Sequence, residues 1–151
     1  MKQIFSNKKA YFNFDVLDKV ESGIILYGWE VKSLKNGRID VSSAYIKEKN
    51  GELFLIGSKI PNWKSAQNSN YKLEDRDRKL LAHKKEIVKL VTSAKQSGVT
   101  MVPLDGYIND SGIIKITVAL VRGKKKFDKR AKIKERDLKR RIDSDRKKYN
   151  I

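Results

Sequence analysis

Positive charge is the most abundant chemical feature of this sequence of 151 residues. Thirty-five Lys and Arg oppose 18 Asp and Glu, which gives a formal net charge of +17. Such a surplus repels itself unless a polyanion or an anionic surface neutralises it. Fifteen of the basic residues and five of the acidic ones lie in residues 122–151, so this C-terminal tail holds +10. A nucleic acid is therefore the first candidate partner.

Side chains suited to catalysis or metal binding are scarce. The chain has no Cys and one His, His83, which excludes a disulfide framework, a thiolate nucleophile, a zinc ribbon and a multi-histidine metal site within the chain. The acidic residues of 74–78 alternate with arginines in the order Glu-Asp-Arg-Asp-Arg. Mutual neutralisation explains this cluster more simply than the grouped carboxylates of a metal-dependent nuclease. We therefore expect no enzymatic activity, no cofactor and no metal site.

The tail combines its charge with a weak helical pattern. Its apolar groups are too few to offset an ordering cost of about 1 to 2 kcal/mol per residue, so we predict that it is disordered when free. Acid-first pairs at a spacing of four residues each contribute about 0.2 to 0.5 kcal/mol to a helix, so we predict that the tail becomes helical when bound. A charge run that simply stays solvated is the alternative. The pairs are Glu135 with Lys139, Asp137 with Arg141 and Asp143 with Lys147.

The preceding residues, 1–121, must supply a folded body. Alternating apolar positions from Ala10 to Tyr27 predict a hairpin that turns at Glu21–Gly23. A change of period predicts a short helix over Trp29–Asn36, which Gly37 ends in a left-handed conformation. The Asn50-Gly51 pair predicts a second hairpin turn.

The middle of the body changes character twice. The polar stretch Gly57–Asp77 predicts a long surface loop, and such loops tend to be functional. Its aromatic residues Trp63 and Tyr71 either stack on a ligand or cover the mouth of the fold. Apolar residues from Leu80 to Ala94 then follow a helical face.

Strand patterns return at 99–102 and 114–120. About six strands with two to three helices and no βαβ rhythm favour a small closed antiparallel β-barrel of the OB type. The longest uncharged stretch, Gln96–Leu104, is too short to cross a bilayer, which takes about 20 residues, and the first residues lack an apolar signal core. We expect a cytoplasmic protein with no membrane partner.

Five stretches resemble small protein B, the SsrA-binding protein family of bacteria, and they occur in family order over nearly the whole chain. One departure is that Glu74-Asp75 stands where the family often has Asp-Pro. The stretches are Asn7–Ala10, Gly28–Leu34, Arg78–Lys84, Val102–Leu104, and Arg122–Lys125 with Asp128–Arg130.

The resemblance implies a non-enzymatic partner of transfer-messenger RNA (tmRNA) in trans-translation. Residues 1–121 would form a barrel that binds the tRNA-like domain of tmRNA and delivers it to stalled 70S ribosomes. Residues 122–151 would enter the vacant mRNA channel, against small-subunit rRNA near the decoding centre. The free protein is expected to be a monomer.

The same resemblance implies two sets of RNA-binding residues. The barrel set, for tmRNA, is Lys8, Lys9, Glu30, Lys32, Arg78, Lys79, His83 and Lys84. The tail set, for the ribosome, is Arg122, Lys124, Lys125, Phe127, Asp128, Lys129, Arg130, Lys134 and Arg140.

Three of these residues have structural alternatives. Glu30 either accepts hydrogen bonds from a base or stabilises the first turn of a helix, and the resemblance favours the base. On that interpretation, Glu30→Ala weakens RNA binding and leaves the fold intact. Phe127 either stacks on a base or packs against the barrel. His83 serves in packing or in an RNA contact. Two other functions compete with the main one: a ribosomal or assembly protein with a basic extension, and an RNA-processing nuclease.

Overall fold

The computed structural model of the chain describes residues 2–61, 73–124 and 136. Between residues 2 and 124 the described ranges contain seven strands and three helices. In chain order these are β1 (Lys2–Ser6), α1 (Lys8–Asn13), β2 (Phe14–Ile24), α2 (Gly28–Lys35), β3 (Tyr45–Lys49), β4 (Glu52–Ile56), β5 (Arg78–Leu81), α3 (Lys84–Ala94), β6 (Val99–Ile108) and β7 (Ile114–Gly123).

Six of the strands close into an antiparallel ring. Their order is β6-β3-β4-β5-β2-β7, and β7 pairs with β6 to complete the circuit. The ring confirms the predicted small closed barrel of about six strands. β1 was not predicted; it adds to β6 outside the ring, with Lys2 opposite Ile108 and Ser6 opposite Asp105.

The barrel interior holds the main apolar core, because alternate residues of each strand point inward. On β7, Ile116 and Val118 are fully buried in this core, and Leu34 of α2 joins them. The opposite face of β7 forms a second, smaller cluster in which Ala119 and Val121 pack with Ala10 of α1. Helix α1 therefore covers the outer face of the barrel wall, whereas α2 contributes to its interior.

Two predicted turns are confirmed. Gly37 ends α2 with a φ of 71°, and its N–H donates to the Leu34 carbonyl at 2.9 Å. Asn50 and Gly51 connect β3 to β4 with φ values of 54° and 80°, the two positive angles that a tight hairpin turn of this type needs.

Two predicted elements are wrong. The hairpin over Ala10–Tyr27 is a helix followed by one unbroken strand, and Gly23 lies within that strand. A Cβ atom at Gly23 would lie 3.3 Å from Leu81 Cβ, so this glycine permits close strand packing and makes no turn. Leu80 and Leu81 belong to β5, and helix α3 begins only at Lys84.

The end of the barrel differs from the predicted boundary at Val121, because β7 continues to Gly123. Residues 62–72, with Trp63 and Tyr71, lie outside the described residues. So does the tail from Lys125 onward, except Arg136, whose guanidinium carbon lies 5.3 Å from the ring centre of Phe12. No helix in the described part of the chain is long and apolar enough to cross a membrane.

Candidate nucleic-acid interface

A buried ionic cluster, formed by Glu30, Arg76 and Arg78, joins α2 to β5. Glu30 is fully buried in the first turn of α2. Its Oε1 accepts from the Tyr27 backbone N–H at 2.7 Å and from Arg76 Nη2 at 2.5 Å. Its Oε2 accepts from Arg78 Nε at 2.5 Å and from Arg76 Nε at 3.2 Å. Both carboxylate oxygens are therefore occupied by donors from the protein itself.

Arg78 points into the protein because the alternation of β5 buries Arg78 and Leu80. The Arg78 guanidinium donates from Nη1 to Ser58 Oγ at 2.9 Å and from Nη2 to the Glu74 carbonyl at 2.8 Å. Burial lowers the pKa of Arg78, and Glu30 opposes that shift. Because a buried guanidinium needs both an anion and acceptors for its N–H groups, Arg78 connects three segments of the chain in a fixed geometry.

Arg76 is the member of the ionic cluster that reaches the surface. Its side chain is 19% exposed, and its guanidinium lies over the Tyr27 ring, 4.5 Å from the ring centre. Arg76 Nη2 also donates to the Ile25 carbonyl at 3.2 Å. The cluster therefore fixes one exposed aromatic ring beside a buried carboxylate.

A groove of about 600 Å³ lies along β5, the strand that begins with Arg78. Lys79 and His83 both line it, and the exposed Lys84 follows His83 in the chain. His83 occupies the N-cap position of α3 and makes no side-chain capping hydrogen bond there. Lys79 forms an exposed ion pair with Glu52 at 2.8 Å. The groove thus combines cations with acidic groups and an apolar floor; its lining is Glu21, Gly23, Glu52, Lys79, Leu80, Leu81, Ala82, His83, Glu86, Ile87 and Lys115.

A basic surface, the α1 end, lies where the tail leaves the barrel. Its cationic residues are Lys8, Lys9, Arg122 and Lys124, of which Lys8, Lys9 and Arg122 are exposed. Lys124 Nζ donates to the Tyr11 carbonyl of α1 at 3.2 Å, and the Lys124 backbone N–H donates to the Asn13 carbonyl at 2.9 Å. The last residues of the barrel are thus held against α1.

Asn7 anchors the α1 end. It is 5% exposed, and its Oδ1 caps α1 by accepting from the Ala10 N–H at 3.2 Å. Its Nδ2 donates to the carbonyls of Pro103 at 2.9 Å and Val41 at 3.4 Å. One neutral side chain therefore joins α1 to β6 and to the segment before β3, and it places Lys8 and Lys9 on the surface.

The groove and the α1 end lie at opposite ends of β2. Phe14 begins this strand beside α1, and Ile24 ends it opposite Leu80. An 11-residue strand spans on the order of 30 Å. The structure therefore brings Lys79 and His83 together in one groove, places Lys8 and Lys9 apart from them, and leaves Lys32 exposed on α2.

Comparison with known proteins identifies the family. The family model described as SmpB protein matches residues 4–148. The SsrA-binding protein of Wolbachia sp. subsp. Brugia malayi is 46% identical over 140 residues, which cover 93% of each chain. That of Thermosipho africanus is 42% identical over 142 residues, 94% of this chain and 95% of the relative.

The chain belongs to the SmpB family. Its fold also matches a chain from a solved structure of tmRNA–SmpB at the centre of the bacterial ribosome, with a TM-score of 0.69 and 36% identity. That match covers 83% of this chain and 87% of the solved one. The resemblance inferred from five short stretches is confirmed.

For this SmpB-family chain, burial separates the predicted barrel residues into two groups. Lys8, Lys9, Lys32, His83 and Lys84 are exposed and can reach an RNA, and Lys79 is partly exposed. Glu30 and Arg78 are buried in an ion pair, so in this structure they position other groups. Direct contact between these two side chains and RNA stays a prediction that no observation here tests.

The predicted ribosome-binding residues beyond Lys124 lie outside the described residues of this SmpB-family chain. They are Lys125, Phe127, Asp128, Lys129, Arg130, Lys134 and Arg140. Their roles stay predictions.

Sequence reasoning missed the partners of the arginines in 74–78. The expectation that this stretch neutralises itself is wrong, because Arg76 and Arg78 pair with Glu30, and Asp77 pairs with Lys49 at 2.8 Å. Asn7 and Tyr27 were also missed as contributors to the two surfaces. The one available signal was the position of Asn7 immediately before the short helix that carries Lys8 and Lys9.

Proposed function

We propose that this chain binds tmRNA and acts with it on stalled ribosomes in trans-translation. Membership of the SmpB family over residues 4–148 carries the proposal. The relatives are named for binding SsrA, and the similar solved chain comes from a tmRNA–SmpB ribosome structure. Because the ribosome is the proposed partner, the place of action is the cytoplasm.

The proposed role is binding rather than catalysis. In the described ranges no group of three His, Asp or Glu side chains is placed to hold a metal ion. Both the groove and the α1 end present lysine side chains. Lysines contact phosphates through a strong, salt-dependent attraction. The barrel would use these lysines on the tRNA-like domain of tmRNA.

The tail is proposed to act separately from the barrel. It holds fifteen Lys and Arg against five Asp and Glu, so it would be drawn to the rRNA that surrounds a vacant mRNA channel. Contacts between the tail and the decoding region would report that no mRNA is present. The barrel would thus select the RNA, and the tail would sense the state of the ribosome.

A truncation separates these two roles. The cut belongs after Lys124, because β7 runs to Gly123 and Lys124 is bonded to α1. The truncated chain should fold, bind tmRNA in a gel shift, and fail to support peptidyl transfer to alanyl-tmRNA on ribosomes stalled at the end of an mRNA. Full transfer by the truncated chain would contradict the proposed role of the tail.

The matched control keeps the tail and changes its charge. Replacing Lys129 and Arg130 by Gln retains the tail length and removes two cations. If the tail acts through rRNA contacts, this variant should lose part of the transfer activity and keep tmRNA binding. Loss of tmRNA binding in the truncated chain, with its thermal melt unchanged, would assign tmRNA recognition to the tail and contradict the division proposed here.

A further inference from the structure

We propose that Tyr27 is a stacking surface for one unpaired base of RNA, and that the ionic cluster serves RNA binding by holding this ring in place. The inference rests on the proposed function, since it assigns a contact to the RNA-binding face of the barrel. It gives Glu30 and Arg78 a positioning role, and it adds Tyr27 and Arg76 to the predicted interface.

Tyr27 is the most exposed of the tyrosines that the structure describes. Its side chain is 53% exposed at the N-cap of α2, although the ring has an apolar body that could be buried. The Arg76 guanidinium covers one ring face at 4.5 Å from the centre. Since Arg76 occupies one face of the ring, a base would stack on the opposite face.

A single carboxylate fixes both members of this stack. Glu30 Oε1 holds the Tyr27 backbone N–H at 2.7 Å and Arg76 Nη2 at 2.5 Å. Arg76 is held further by the carbonyls of Ile25 at 3.2 Å and Asp77 at 3.3 Å. Because the ring and the guanidinium are ordered before any ligand arrives, binding a base costs little additional conformational entropy.

The charge of Arg76 also favours a nucleobase. A guanidinium on one face of an aromatic ring adds to stacking through its planar, delocalised charge, and it remains near the phosphate that accompanies a base on the other face. Lys32 is also exposed on α2, two residues after Glu30. A protein partner would not require this surplus of positive charge, so we assign the surface to RNA.

The surroundings of the ring suit an unstacked base better than a duplex. Ile25, at 47% exposure, lies two residues before Tyr27 and adds apolar area just after the end of β2. A base in a helix presents only its edge, whereas a base in a loop can place its whole face on a ring. Loops of a folded RNA are therefore the expected ligand.

Affinity measurements on three RNAs test the proposal. The RNAs are transcribed tmRNA, an unstructured single strand of 20 nucleotides and a fully paired duplex of equal length. Tyr27→Ala should weaken binding to tmRNA and the single strand about tenfold, leave duplex binding unchanged, and leave the thermal melt unchanged. Tyr27→Phe should bind like the parent protein. The matched control is Tyr45→Ala, which removes a tyrosine of 43% exposure from β3.

A double-mutant cycle tests the positioning role. If Arg76 acts through the ring, Arg76→Ala should weaken single-strand binding in the parent protein and have little further effect in the Tyr27→Ala background. An Arg76 effect of the same size in both backgrounds would show an independent phosphate contact and overturn the positioning role.

Other outcomes overturn the stacking contact or the proposed function separately. Unchanged single-strand affinity in Tyr27→Ala, equal losses in Tyr27→Phe and Tyr27→Ala, or an equal loss on the duplex would each contradict stacking. A parent protein that prefers the single strand to tmRNA, and loses that preference in Tyr27→Ala, would support stacking and contradict the proposed tmRNA function.

Discussion

The two ends of β2 hold their surface groups in place with different chemistry. Beside Ile24, a buried carboxylate is bonded to two arginines, and it orders an exposed ring and the start of β5. Beside Phe14, one neutral amide side chain, Asn7, caps α1 and bonds two carbonyls. The first anchor is ionic, and the second is neutral.

This difference determines how much stability the protein loses when Glu30 or Asn7 is replaced. Removing Glu30 leaves a buried guanidinium with no anion, and an uncompensated buried charge is costly. Removing the Asn7 side chain leaves no buried charge and takes one hydrogen bond from each of its neutral N–H and C=O partners. The end with the ionic cluster is therefore more rigid and also more vulnerable to a single substitution.

The largest expected effect is on folding stability when the ionic cluster is broken. Glu30→Gln should lower the free energy of unfolding by about 3 to 5 kcal/mol, because Arg76 and Arg78 lose their anion. The sequence-based expectation that replacing Glu30 leaves the fold intact is therefore revised. Urea denaturation measures the loss.

The matched control for this change is Glu52→Gln. It breaks the exposed ion pair with Lys79, where the side chains are 45% and 36% exposed. A change below about 1 kcal/mol is expected there. Equal losses in the two variants would contradict the contrast between buried and exposed pairs.

A smaller loss is expected when the neutral anchor is removed. Asn7→Ala should cost about 1 to 3 kcal/mol, because it removes a helix cap and the hydrogen bonds that Asn7 Nδ2 donates to two carbonyls. The control is Asn36→Ala, whose exposed Nδ2 donates to the Lys32 carbonyl at 2.8 Å. Urea denaturation measures the free energy of unfolding of both variants. A larger loss in Asn7→Ala than in Glu30→Gln would contradict the expected order.

The exposed lysines of the α1 end should affect RNA binding and not folding. Replacing Lys8 and Lys9 by Ala should lower tmRNA affinity, and each lost phosphate contact should reduce the slope of log affinity against log salt by about 0.7 to 0.9. The control removes the same charge at Lys47 and Lys95, which are exposed elsewhere on the barrel. If log affinity against log salt has the same slope in the two variants, the α1 end is not part of the RNA interface.

The smallest effect concerns a tyrosine on α1. Tyr11 donates to Asp105 Oδ2 at 2.6 Å, and burial, aided by this carboxylate, raises the pKa of Tyr11 to about 12. Because the folded-state pKa exceeds the usual value near 10, this contribution to stability is complete below pH 10 and is lost as the pH rises towards 12. Partial exposure of Tyr11 keeps it small.

Unfolding of Tyr11→Phe across this pH range measures that contribution. The variant should be less stable than the parent at pH 9, and the difference should shrink towards pH 12. Asp105→Asn serves as the control, since it removes the charge and keeps the tyrosine. A difference that grows with pH would contradict the direction of the Tyr11 shift.

The sequence predicted correctly those turns and helix ends that the backbone preference of one or two neighbouring residues determines. Gly37 and the Asn50-Gly51 pair specify positive backbone angles, so the end of α2 and the β3–β4 turn were correct. The Glu21–Gly23 stretch resembles a turn for the same reason. It is not one, because the requirement for glycine at position 23 comes from Leu81 on another strand.

The ionic cluster could not be predicted because its partners are remote in sequence. Glu30 meets Arg76 and Arg78 only after β5 has paired between β4 and β2. The presence of the basic groups was evident from composition, but their division into two surfaces follows from the length of β2. Leu80 and Leu81 were assigned to a helix because their spacing happens to continue the apolar face of α3.

Because the chain is synthesised from its N-terminus, the β-barrel can close only late in synthesis. β2 pairs with β7 from Phe14 to Gly23, and β1 pairs with β6, so the first two strands wait for the last two. At about 5 to 20 residues per second, roughly 5 to 20 seconds pass between the synthesis of β2 and that of β7. A chain that ends before β7 cannot close its barrel, so an incomplete product presents unpaired strands and neither the groove nor the α1 end in its folded arrangement.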